Sequence, residues 1–136
     1  GKAEEVKQLT KNYSNMYILG AIRGKEKIAE MYQSANIYVL PSYREGLPLT
    51  LFEAMASGLP IIASPVNGIP YEMDEPENGF LVKYGDIASM EKRIIQLLDN
   101  KDLSEKISDN NINKAKNFDW DIIYGKYMNE YKKLLN

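Results

Sequence analysis

The sequence contains neither histidine nor cysteine. Without histidine, the commonest general base and the commonest metal ligand are both missing, so any chemistry falls to carboxylates, amides and helix ends. Without cysteine there is no disulfide, thiolate nucleophile or thiolate metal site. No metal site is expected, and the cytoplasm is the default compartment. Charge of one sign is also lacking: 17 basic residues against 19 acidic leave a net charge of -2. No basic field therefore exists to hold nucleic acid or an anionic membrane. The apolar runs fall well short of the roughly 20 residues that a membrane span needs, and no charged-then-apolar leader is seen, so a soluble chain is expected. With 136 residues, 44% of them hydrophobic and 26% charged, the whole of 1–136 fits one domain with one modest core.

What is present alternates. Residues 4–11 are polar and helix-compatible, and Met16, Tyr17, Ile18 and Leu19 form a short apolar run closed by Gly20, the pattern of a buried parallel strand. Ile28, Ala29, Met31 and Tyr32 fall on helical spacing within 24–35, and 36–40 reads as a strand stopped by Pro41. A helix over about 49–57, a strand over 60–64, a turn at Asn67 and Gly68 and a strand over 79–82 follow. Asp86 is a helix N-cap candidate ahead of Ile87, Met90, Ile94, Leu97 and Leu98, which share one helical face, and the rest of the chain reads as helix. The asparagine-rich stretch 109–117 is expected to mark an exposed helix end or a kink. Strands separated by helices of this length imply a parallel sheet with helices on both faces, an α/β fold. Ligands in such sheets sit beyond the carboxyl ends of the strands. The loops at Gly20, 41–48, 64–68 and 83–86 are therefore the places to search.

One of them holds a concentrated pattern. Glu45 lies in the loop after a strand, and Glu53 follows eight positions later in a helix whose first residue is expected to be Pro48. Helical side chains lean toward the N-terminus, so Glu53 points back toward the loop of Glu45. Between them Gly46 permits close backbone approach, and the first amides of the helix have no internal partner. A helix start with about half a positive charge suits a phosphate or diphosphate. Flanking carboxylates, acceptor-only when ionised, suit the hydroxyls of a hexose and a ribose on either side of it. A nucleotide sugar has that layout. Two glutamates near a helix start are also ordinary dipole partners, and spacing alone does not choose between these readings.

The order Pro-Ser-x-x-Glu-Gly-x-Pro-Leu-x-x-x-Glu-Ala-Met-Ala-x-Gly-x-Pro-Ile-Ile-Ala-Ser over 41–64 closely resembles the retaining glycosyltransferases of family 4, which have the GT-B fold of two Rossmann-like domains. The likeness extends upstream through Ile18-Leu19-Gly20 and Met31-Tyr32-x-x-Ala35-Asn36. Downstream it continues through Asn67-Gly68-Ile69-Pro70, Asn78-Gly79-Phe80-Leu81-Val82, Gly85-Asp86 and Phe118-Asp119-Trp120, and so covers nearly the whole chain. It implies a Rossmann-like parallel sheet with flanking helices, the C-terminal, donor-binding half of such an enzyme, without that half's first two strands and without the acceptor-binding N-terminal domain.

By the same resemblance Glu45 is the catalytic-site glutamate beside the donor sugar, and Glu53 bonds the ribose hydroxyls. The backbone at Gly46, Leu47, Pro48, Leu49 and Thr50 would hold sugar and diphosphate, and Gly20, Ala21 and Ile22 would meet the base through main chain. The implied substrate is a nucleoside diphosphate sugar such as a UDP- or GDP-hexose, transferred with retention to a glycan or lipid-linked acceptor in glycan biosynthesis, with no cofactor and no metal. Arg23, Lys25 and Lys27 do not occupy the family's diphosphate-gripping position, and Arg44 is a weak candidate for it beside the reading of a solvated side chain. The fragment alone is expected to be inactive, to leave unpaired sheet edges open to self-association, and to belong to a cytoplasmic enzyme that a lipid-linked acceptor could place at the membrane surface. A non-catalytic nucleotide-sugar-binding module and a nucleotide-sugar epimerase of the same fold remain as alternatives. A glycosidase using Glu45 and Glu53 across one bond fits poorly with an anion site between them.

Overall fold

The computed structural model describes the backbone over residues 2–135 and the side chains over 4–135. Three short strands, β1 (Tyr38–Leu40), β2 (Ile61–Ala63) and β3 (Gly79–Leu81), form a parallel sheet in the order β1-β2-β3. Tyr38 stands opposite Ile61, and Ile61 opposite Gly79. Parallel neighbours need crossovers. Helix α3 (Leu49–Ala56) lies between β1 and β2, and the single turn α4 (Ile69–Glu72) between β2 and β3. Helix α1 (Lys2–Thr10) and helix α2 (Lys25–Ser34) precede the sheet. Helices α5 (Ile87–Asp99) and α6 (Lys101–Ala115), a 3-10 turn (Lys116–Phe118) and α7 (Trp120–Leu134) follow it. Among the described residues no helix is long and apolar enough to cross a membrane.

The central strand explains the layering. Every residue of β2 is buried, and because side chains alternate across a sheet, Ile61 and Ala63 face one side while Ile62 faces the other. Ile61 and Ala63 join Leu51, Ala54 and Met55 of α3 together with Leu59, Ile69 and Met73. Ile62 joins Phe80, Val82, Leu97 of α5 and Ile107 of α6. A continuous apolar strand is what burial on both faces requires. Gly79, at φ +133°, starts β3 against the backbone of Ile61, where any Cβ would stand 1.9 Å from the carbonyl oxygen.

Two expectations are corrected and a third holds in part. Residues 16–19 join no sheet and are exposed, Tyr17 at 78%. β1 is the sheet edge, with β2 as its ladder partner, and an apolar run becomes a strand only where a neighbour supplies its hydrogen bonds. Helix α3 begins at Leu49, with Pro48 as its N-cap in the extended conformation (φ -72°, ψ 128°); proline's fixed φ suits either place, and ψ decides. The asparagine-rich stretch does contain a helix end, α6 stopping at Ala115 with Lys116 and Asn117 exposed, but its middle turns inward and Asn111 is completely buried. Its amide donates to the carbonyls of Leu59 (2.8 Å) and Asn78 (3.1 Å) and accepts from Asn78 Nδ2 (2.7 Å).

Asp86 caps α5 as expected, accepting from the Ser89 amide at 3.0 Å. The Ser89 amide, then the Ser89 hydroxyl, and to a lesser degree the charge of Lys83, hold its carboxyl below the ordinary aspartate range. A depressed folded value stabilises above the unfolded pKa and is lost as pH falls through the folded one. Asp86→Ala is expected to lower the thermal midpoint at neutral pH, and the gap to the parent should narrow below about pH 3.9. Melts across that range test this, and a gap of constant size would refute it.

Candidate functional site

The carboxyl ends of the strands gather the loops singled out from sequence. After β1 the chain is turned by Pro41, and the Ser42 hydroxyl donates to Glu45 Oε1 at 2.8 Å, holding a half-buried carboxylate. After β2, Asn67 adopts the left-handed conformation (φ 46°) and its side-chain amide donates to the Glu45 carbonyl. The next amide, Gly68, donates to the Gly46 carbonyl at 3.1 Å. Gly68 has an ordinary α conformation. Space favours glycine there instead, since a Cβ would come within 3.1 Å of Gly46 O and of the Leu47 side chain, tighter than ordinary contact. After β3, Tyr84 meets Tyr43 edge to face with ring centroids 5.3 Å apart. The loops after β2 and β3 thus both close on the loop that carries Glu45.

Helix α3 leaves that loop without a side-chain cap. Its first turn-closing bond runs from Leu51 N to the Pro48 carbonyl, and among the described residues the amides of Gly46, Leu47, Leu49 and Thr50 have no acceptor. Pro48 has no N–H and drops out of the donors expected there. Unpaired amides at a helix start are able to receive an anion.

Glu53 sits one turn further on, exposed on α3, and accepts a 3.1 Å bond from the Tyr32 hydroxyl of α2 through Oε2. It also lines a groove of about 680 Å³ shared with Leu47, Glu72, Lys116, Phe118 and Trp120. Phe118 is anchored by its ring contact with Phe52, centroids 4.4 Å apart.

Tyr38 on β1 links the two glutamates. Burial raises its pKa, the Thr50 hydroxyl draws it down, and the charges of both Glu45 and Glu53 push it up. Both carboxylates therefore act on one phenol at the edge strand of the sheet. Tyr32, tilted against Tyr38 at 5.9 Å, is raised well above the ordinary tyrosine value by burial first, then by Tyr38 and by the bond and charge of Glu53.

The remaining loop is less closely bound to the site. Gly20 (φ +69°) and Ala21 are exposed, and Ile22 is half-buried in a cleft of about 340 Å³ that it shares with Tyr32 and Tyr38. The sequence reading missed Tyr32 and Tyr38, which carry core signals, and the docking role of Asn67, which carries a turn signal. Ser64, fully buried at the end of β2, keeps a hydroxyl without a hydrogen-bond partner.

Comparison with known proteins gives one answer. The family model described as glycosyl transferases group 1 matches residues 1–114. An uncharacterized glycosyltransferase of Haemophilus influenzae is 36% identical over 135 residues, 97% of this chain and 36% of that one. A D-inositol 3-phosphate glycosyltransferase of Streptomyces coelicolor is 34% identical over 98 residues, 72% of this chain and 21% of that one. Among solved structures, sucrose-phosphate synthase from Thermosynechococcus elongatus superposes with a TM-score of 0.86 at 29% identity, over 98% of this chain and 34% of that one. The chain thus spans about a fifth to a third of the length of these relatives.

Proposed function

We propose, from the premise that this chain belongs to the glycosyl transferases group 1 family, that it holds a nucleoside diphosphate sugar for transfer with retention to a glycan or lipid-linked acceptor. The observation that carries the reading is the open start of α3 set between two carboxylates. The diphosphate lies on the amides of Gly46, Leu47, Leu49 and Thr50, where aligned peptide dipoles stabilise the charge that develops as it departs. No metal is required for that. Glu53 takes the ribose hydroxyls, and Glu45, oriented by Ser42, lies beside the sugar as an acceptor and not as a covalent nucleophile. Gly20, Ala21 and Ile22 meet the base. The acceptor is bound by the part of the relatives' length that lies outside this chain, and a cytoplasmic location, peripheral to the membrane where the acceptor is a lipid, goes with it.

The test is calorimetric titration with UDP-, GDP- and ADP-sugars. One nucleotide is expected to bind, and Glu53→Ala to weaken it about 10- to 100-fold, the worth of hydrogen bonds to a charged group. Binding left unmoved by Glu53→Ala would sink the ribose assignment. Absence of binding both to this chain and to a protein of the relatives' length that contains it would sink the reading as a whole.

A further inference from the structure

We infer that Tyr32 is a positioning residue for Glu53: its hydroxyl ties down Oε2 so that Oε1 is presented, in a fixed plane, to one hydroxyl of a vicinal diol. The inference rests on the donor-binding reading above. It starts from an oddity of placement. Tyr32 follows Met31 on the helical stripe of α2 and packs its ring against the core, yet its hydroxyl reaches 21 positions along the chain to donate to Glu53. Among the described residues that bond is the one the Glu53 side chain makes, and Oε1 takes none.

A glutamate on an exposed helix face samples several rotamers, and ordering it on binding costs free energy that a pre-set side chain does not spend. Tyr32 is itself set. Its ring packs against Tyr38 of β1 and lines the same cleft as Ile22. The ring therefore lies at the seam between the residues read as meeting the base and the carboxylate read as meeting the ribose. The phenol remains a donor at every pH near neutral, because burial and the neighbouring charges oppose its ionisation. A neutral donor also leaves the full negative charge of Glu53 available to the diol.

The experiment compares Tyr32→Phe with the parent chain for two probes, the nucleoside diphosphate that binds and its 2′,3′-dideoxy counterpart. Phenylalanine keeps the ring and its contact with Tyr38. The variant is expected to bind the ribonucleotide about 3- to 10-fold more weakly, the cost of ordering one side chain on binding. It should bind the dideoxy form as the parent does, and a Tyr32→Phe, Glu53→Gln double variant should lose no more than Glu53→Gln alone. Equal losses for both probes would mean a structural role only and overturn the inference. So would an unchanged ribonucleotide affinity in Tyr32→Phe where Glu53→Ala weakens binding. If Glu53→Ala moves nothing, the ribose assignment falls first and the role of Tyr32 falls with it.

Discussion

Gly79→Ala is expected to lower the thermal midpoint by about 10 °C or more, from a cost of about 3 kcal/mol or above. Two independent costs meet at this residue. Its φ of +133° lies where side chains are strained. The added Cβ would also stand 1.9 Å from Ile61 O and 2.7 Å from Ile61 N. Those atoms are backbone of the central strand, so no rotamer change relieves the clash, and β3 must draw away from β2. Doing so strains the bonds from Ile61 N to Asn78 O (3.3 Å) and from Val82 N to Ala63 O (2.9 Å). The loop after β2 holds Glu45 in place through Asn67 and Gly68, so nucleotide affinity should fall with stability. A far-UV circular dichroism melt within about 2 °C of the parent would show the close approach to be wrong.

Asn111→Ala should cost about 3 kcal/mol in denaturant unfolding, from stranded polar groups together with the cavity left behind. The buried amide draws together three segments remote in sequence: α6, the turn at Leu59 that feeds β2, and Asn78 just before β3. Removal leaves Leu59 O and Asn78 Nδ2 without partners in a place that water does not reach. Lys114, one turn later, holds the same corner from its surface side, reaching Asp74 Oδ2 at 2.8 Å and Asn78 Oδ1 at 3.2 Å. A loss under about 1 kcal/mol would mean that the corner rearranges at little cost and that the bracket is not what fixes α6 to the sheet.

The readable parts of this fold are those whose signals are local. Ile61, Ile62 and Ala63 form an apolar run between turn residues, and a buried strand follows from period and punctuation alone. Asp86 three positions before the Ser89 amide is a cap by chemistry. The order of groups from Glu45 to Glu53 is equally local, because a loop and the helix it enters keep their residues together. What the sequence could not disclose depends on partners far along the chain. Residues 16–19 have the composition of a strand but no neighbour to complete it. Tyr32 carries the same signal whether its ring end meets solvent or a carboxylate 21 positions away. Asn111 looks like a helix-breaking polar residue until two carbonyls from elsewhere meet it. The glycine at 68 reads as half of a turn, whereas its role is to admit the backbone of Gly46.

The chain contains a single tryptophan. It stands at the start of α7, 79% exposed, on the wall of the groove that Glu53 also lines. With the other aromatic residues being tyrosine and phenylalanine, emission excited near the red edge of protein absorption comes from this one indole. The protein therefore carries an intrinsic optical reporter at the rim of its candidate site, sensitive to the polarity of whatever enters beside it and requiring neither a label nor a substitution.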